Sequence, residues 1–394
     1  MAALRSASAL PLKERLDSVD LLRGLVMVIM ALDHVRDYFS NAHFDPTDLA
    51  KTTAPLFFTR WITHFCAPVF VFLAGTGAYL SAARGKPKGA LARFLLTRGL
   101  WLVLLELTWV RFSWVFNLDY ELVGLQVIWA IGWSMVALAA LVFLPVRVVG
   151  VLGVLMIALH NLFDGVHAES LGRASALWRV AHDGGMYMLP GNHRVFVVYP
   201  LIPWIGVMAA GYAFGEVLRT DPATRRRRLL LIGAGIVTLF FALRALNVYG
   251  DSTPWSPQPR GALFGVMSFL NCVKYPPSLL YLAMTLGPSI LALAALEHLH
   301  GPVARALLVF GRVPLFYYLL HIPLIHLAAI ASLYVGPGKG AIAGNPWADG
   351  NDAYGYALPI VYLVWAMIIV ALFPICKWFA ALKARRHDAW LSYL

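Results

Sequence analysis

Long apolar runs recur from one end of this chain to the other, separated by shorter polar stretches. Runs of about 20 residues with few charges are what the hydrocarbon of a bilayer requires of a spanning helix. They predict ten helices, near 20–40, 61–83, 95–116, 124–144, 148–163, 197–218, 229–249, 277–297, 313–335 and 357–380. No polar linker divides them. The expected fold is therefore all-α, a single polytopic membrane domain over 1–394, with an N-terminal segment over 1–18 and a tail over 381–394. Periodicity shows no internal repeat of the kind that inverted-repeat transporters carry.

Composition agrees with the pattern. The 394 residues are 60% hydrophobic and 13% charged, where a soluble protein has about 25% charged residues. The first twenty residues lack an apolar core, so no cleavable signal peptide is expected. Cys66, Cys272 and Cys376 stand far apart and form neither a metal spacing nor a disulfide framework. No metal site is expected. The formal charge of +12 changes the picture only through its distribution. With the N-terminus inside, most Lys and Arg fall in inner connections, including RGKPKGALAR (84–93), TRRRR (224–228) and KARRH (383–387), while the acids lean outward. This is the positive-inside pattern, and it predicts both termini in the cytoplasm. The basic runs read as topology signals, and nucleic acid is excluded as a partner because no aromatic-interleaved motif accompanies them.

The first helix carries the candidate chemistry. In VDLLRGLVMVIMALDHVRDYF (19–39), Asp20 and Arg23 stand at one end and Asp33, His34, Arg36 and Asp37 at the other. Arg23 and His34 are eleven residues apart, about three turns, so they share one face and lie roughly 16 Å apart along the axis. Asp20 can pair with Arg23, and Asp33 with Arg36, at helical spacing. Asp37 is placed to orient the His34 imidazole. Charges at the ends of a short helix also serve as interfacial anchors, the plainer reading for Asp20, Arg36 and Asp37. A histidine beside carboxylates can act as a general base or accept an acyl group covalently.

Other candidates follow from position. His64, His43, His193, Lys274 and Tyr275 fall on the outer half, where long loops (164–197 and 250–276) offer room for an acceptor. Each also has a packing, interfacial or solvent role open to it. On the inner side Lys86, Lys88, Arg93, Arg98 and Arg312 can meet phosphates, although they also serve topology. His321 lies two residues before Pro323, which should kink its helix and free a carbonyl. That makes it either a core histidine or part of a buried polar cluster. Glu106 is expected to pair with Arg98 or Arg111.

RLDSVDLLRGLVMVIMALDH (15–34) resembles the first helix of the transmembrane acyltransferases, and Arg23 with His34 fits the spacing of their O-acetylase branch. RLDSVDLLRG (15–24), APVFVFLAGTGAYLS (67–81), KYPPSLLY (274–281) and GRVPLFYYLLHIPLIH (311–326) are similar to the branch of heparan-alpha-glucosaminide N-acetyltransferase and its bacterial relatives. The resemblance implies a bacterial inner-membrane acyltransferase. It would take an acyl group from cytoplasmic acyl-CoA, acetyl-CoA first, and give it to an extracytoplasmic sugar hydroxyl or amine.

By the O-acetylase pattern His34 is the catalytic residue, assisted by Asp37 or Asp33. By position Arg23, Arg98, Arg312 and His321 are the candidates to bind the donor, and His64, His43, His193, Lys274 and Tyr275 the candidates to bind the acceptor. The bilayer, acyl-CoA and a glycan are the partners. Acyl-CoA serves as co-substrate rather than resident cofactor, and a homodimer is compatible with the sequence. In the human-type enzymes the essential histidine lies in the loop after the first helix, past an Asn-Tyr pair. Here His34 falls near that pair, His43 stands inside the loop (40–64), and His64 replaces an acidic residue. The same charged helix also suits a small-solute or proton-coupled transporter, and a non-catalytic assembly scaffold is a third reading.

Overall fold

The computed structural model describes residues 16–335, 354–386 and 388–394. The expectation for residues 1–15 of the N-terminal segment lies outside them. Fifteen α-helices are present: α1 Asp17–Phe39, α2 Ala54–Thr63, α3 Cys66–Ala83, α4 Lys88–Leu105, α5 Arg111–Val115, α6 Val127–Leu141, α7 Val146–Leu159, α8 Ser175–Trp178, α9 Leu201–Leu218, α10 Pro222–Leu246, α11 Ala262–Leu270, α12 Leu279–Leu296, α13 Pro302–Arg312, α14 Pro314–Val335 and α15 Leu358–Arg385. Each of the ten expected segments is helical.

Among the described residues, seven spans are long and apolar enough to cross a membrane. They are α2 with α3, α7 with its terminal turn, α9, α10, α12, α14 up to Tyr334, and α15. The other three expected spans fall short for readable reasons. α1 carries Asp17, Asp20, Arg23, Asp33, Arg36 and Asp37; α4 carries Lys88, Arg93 and Arg98; and α6 has fifteen residues. Burial separates lipid-facing from interior helices. Only 17% of the apolar window of Val146–Phe163 is buried, against 67% for α12. Val151, Val154 and Leu155 of α7 and Leu363, Met367 and Val370 of α15 are exposed, faces suited to lipid tails.

The all-α expectation needs one correction. Leu122–Leu125 (β1), Gly185–Met188 (β2) and Arg194–Val197 (β3) form a small sheet in the order β1-β3-β2. β3 is parallel to β1 and antiparallel to β2. These four-residue segments sit in polar connections, where no helical period competes with strand pairing.

α1 is central and packs against α2, α3, α12, α13, α14 and α15. Its closest crossing is with α13. A Cβ on Gly24 would collide with the Leu307 carbonyl oxygen, and one on Gly311 with that of Asp20. Paired glycines let backbones touch where no water drives helices together. Gly99 and Gly132 bring α4 against α6 in the same way.

Candidate active site

Around the end of α1 that bears His34, the structure gathers a polar cluster. The His34 ring faces His321 of α14, with Nδ1 2.7 Å from His321 Nε2. The other nitrogen of His321, Nδ1, is 2.7 Å from the Tyr318 carbonyl oxygen. A carbonyl only accepts, so His321 Nδ1 holds the proton and its Nε2 is the acceptor. His34 Nδ1 then donates, and His34 Nε2 carries the free lone pair. Trp114 holds the His34 ring edge-on at 5.0 Å, and Trp114 is fixed in turn by stacking on Tyr38 at 5.6 Å.

Pro323 lies inside α14, two residues after His321. Proline supplies no N–H to the residue four before it, so the Leu319 carbonyl loses its helical donor. The Trp109 indole N–H takes that carbonyl at 2.8 Å. Trp109 reaches it from a π-helical turn, Glu106–Val110, between α4 and α5. The sequence located the freed carbonyl; the indole that answers it is visible only in the fold.

The carboxylates do not hold the imidazole directly. Asp33 pairs with Arg36 at 3.0 Å and with Arg60 of α2. Asp37 pairs with Arg36 at 2.5 Å. The expected Asp33–Arg36 and Asp20–Arg23 pairs are present, the latter at 3.0 Å. His34, however, is oriented by His321 rather than by Asp37. Asp33 and Asp37 surround the ring with negative charge instead. Arg60 was not anticipated. It stands on the amphipathic helix just after the first loop, and nothing local marks it as the partner of Asp33.

Three acceptor candidates join this cluster. His64 is buried at the C-cap of α2 with its Nδ1 unpartnered, and its carbonyl accepts the Tyr281 hydroxyl at 2.8 Å. Lys274 lies within electrostatic reach of Asp33, His34 and His64. Its ammonium sits 5.0 Å from the centre of the Tyr275 ring. Tyr275 is exposed as a residue; desolvation at its hydroxyl opposes ionisation, yet Lys274 and then Arg60 bring the phenol below its ordinary value. Asp251 fixes the segment that carries both, accepting from Val273 N at 2.9 Å and Ser278 Oγ at 2.6 Å. His43 and His193 bond elsewhere, to the Tyr354 and Tyr120 carbonyls at 2.8 and 2.9 Å.

Two turns down α1, a cavity of about 680 Å³ opens between the helices, within the range of small-molecule sites. Arg23, Arg98, Arg312, Lys377 and Lys383 line it, together with Tyr318. Arg23, Arg98 and Arg312 are the cations expected to meet the donor. Lys377 and Lys383 come from α15; Lys383 opens the KARRH run, which reads as a topology signal, and nothing in the sequence singles out Lys377. Lys86, Lys88 and Arg93 do not line it, and Lys88 donates to the Phe143 carbonyl at 3.1 Å. Glu106 pairs with neither expected arginine. It accepts from Trp129 N at 3.1 Å near the start of α6, while Arg111 takes Asp119 at 2.8 Å. Tyr318 links the two regions, since its side chain borders the cavity and its carbonyl anchors His321.

Comparison with known proteins places this geometry. The family model described as heparan-alpha-glucosaminide N-acetyltransferase, catalytic, matches residues 15–249. That stretch contains Arg23, Asp33, His34, Arg60, His64 and Arg98. No curated protein matches the chain.

Proposed function

The chain belongs to the heparan-alpha-glucosaminide N-acetyltransferase catalytic family, and from that premise we propose that it transfers an acetyl group from acetyl-CoA to a sugar amine or hydroxyl across the bilayer. The observation that carries the proposal is a basic cavity beside Arg23 and the His34–His321 contact further along the same helix, joined through Tyr318. Five cations suit the phosphates of CoA, which neither a free sugar nor a proton would need. The membership also favours acyl transfer over transport.

In this reading CoA lies on Arg23, Arg98, Arg312, Lys377 and Lys383, on the cytoplasmic side, and its thioester arm points along α1. The acceptor approaches from the opposite side, past His64, Lys274 and Tyr275. His34 Nε2 takes the acceptor's proton as its amine or hydroxyl attacks the thioester carbonyl. The carbon–sulfur bond breaks, and CoA leaves as the thiol after taking up a proton. Asp33 and Asp37 favour the imidazolium that forms, and His321 fixes the ring. Arg36 Nη1, buried without a partner among the described residues, is a donor for an acceptor hydroxyl. A covalent route differs in one step: Nε2 itself takes the acetyl group and then passes it on.

The test has two readouts on detergent-purified protein. Acetyl-CoA at a hundred times its dissociation constant should stabilise the fold by about 2.7 kcal/mol, and Arg98→Ala should weaken this. Acetylation of a glucosaminide, the acceptor class in the family description, should fall by about 10²–10⁴ in His34→Ala while donor binding persists. Radiolabelled acetyl trapped on wild-type protein without acceptor would select the covalent route. Wild-type transfer by His34→Ala would remove His34 from the chemistry, and no stabilisation by millimolar acetyl-CoA would remove the donor.

A further inference from the structure

A second cluster lies on other elements. His160 ends α7 in a 3₁₀ turn, Asp164 follows that turn, and His182 sits in a π-helical turn, Arg179–Asp183. One potential ligand atom from each lies within 4.8 Å of the others. Both histidines are 2% exposed. Among the described residues, neither nitrogen of His160 has a hydrogen-bond partner, and nor does Nδ1 of His182. An imidazole buried in this way loses its hydration without compensation, at a cost of about 1–3 kcal/mol per unmet group. Two such rings side by side, with centroids 5.5 Å apart, are poor packing residues. They are good ligands.

We propose that His160, Asp164 and His182 bind a zinc-class divalent cation. Two imidazoles and one carboxylate suit zinc and its neighbours rather than magnesium or calcium, which take oxygen. Around a tetrahedral zinc with bonds of about 2.1 Å, ligand atoms stand roughly 3.4 Å apart. The three potential ligand atoms, all within 4.8 Å of one another, have to draw together by about 1 Å to reach that size.

Outer partners of the kind that orient metal ligands are in place. Asn161 Nδ2 donates to Asp164 Oδ2 at 2.9 Å, and Trp178 stacks on His182 at 5.1 Å. His182 Nε2 donates to the His160 carbonyl at 2.8 Å, which leaves its Nδ1, unpartnered among the described residues, as the nitrogen available to the metal. The Pro277 carbonyl approaches His160 outside strict hydrogen-bond geometry.

The ion has a structural role, because its ligands tie three parts of the molecule together. His160 and Asp164 hold the end of α7, and His182 brings in the long 164–197 connection. Asn161 Oδ1 accepts Leu279 N at 2.9 Å, at the start of α12. The segment so anchored follows Lys274 and Tyr275 directly. A cation here stiffens the wall beside the acceptor approach without entering the reaction.

Metal content and stability of the purified full-length protein test this, independently of acetyl transfer. Wild-type protein should carry about one zinc per chain by elemental analysis. EDTA should lower its Tm, and Zn²⁺ but not Mg²⁺ should restore it. His182→Ala and Asp164→Asn should lose both the metal and the response, whereas His167→Ala, an exposed neighbour, should keep them. If the variants do not fold, Co²⁺ added to EDTA-treated wild type decides: visible d–d absorption supports the site, and its absence overturns it. Wild-type protein that holds no stoichiometric metal, with a Tm indifferent to EDTA and Zn²⁺, also overturns it.

Discussion

Asp33 serves His34 without touching it through a hydrogen bond. Its carboxylate is held by Arg36 and Arg60, and both ends of the Asp33–Arg60 pair are nearly buried, at 12% and 14% exposed. Removing one partner strands a charge away from water, which costs about 3–5 kcal/mol in buried pairs; removing both together can be close to neutral. Asp33→Asn and Arg60→Met should therefore each destabilise strongly by thermal unfolding. The double variant should recover much of the loss, giving a coupling energy of at least about 1 kcal/mol. Additive losses would show that the two side chains do not act as a pair. The sequence exposed Asp33, Arg36 and Asp37 because their helical spacing is local. It hid Arg60, and it marked His321 without pairing it to His34, since each meets its partner only after distant elements fold together.

At the scale of elements, the backbone contact between α1 and α13 sets the basic cavity proposed to hold the donor. Arg23 and Arg312 stand beside the glycines that make this crossing, Gly24 and Gly311. Any side chain at Gly24 meets the Leu307 carbonyl, which is backbone and cannot swing aside. Gly24→Val should cost about 1–3 kcal/mol or more from overpacking and should weaken acetyl-CoA stabilisation, because the two arginines move apart. Substitution at Gly235 of α10, whose Cβ would meet nothing within 4 Å and which does not line the cavity, should leave the fold's stability nearly unchanged and provides the control. A Gly24→Val protein with wild-type Tm and donor response would contradict this view of the crossing.

Helix positions were readable here because apolar runs are long and their ends are marked by Pro and charge. The small sheet and the π-helical turn were not. Four-residue strands leave no periodic trace, and the π turn is identified by what Trp109 reaches, not by its own composition.

Across the whole molecule, the proposed function assigns the two ends of α1 to different substrates. Arg23 and His34 are separated by roughly 16 Å, about half of a ~30 Å hydrocarbon layer. Phosphates bound at one end and an acceptor arriving at the other therefore need not share a compartment, and neither must cross lipid whole. Charge distribution along the sequence already implied this polarity. The convergence of α1, α13, α14 and α15 on one cavity had to come from packing, because Lys377 and Lys383 are remote in sequence from Arg23.

The arrangement makes a directional prediction. In sealed vesicles of known orientation, membrane-impermeant acetyl-CoA supplied only on the side of Arg312 and Lys383 should support acetylation of an impermeant glucosaminide on the opposite side. Donor supplied only on the His34 side should support none. The donor-side dependence should also weaken as ionic strength rises, because the binding groups are cations partly open to solvent. Transfer that required donor and acceptor in the same compartment would show that the cavity and His34 do not work as two ends of one path.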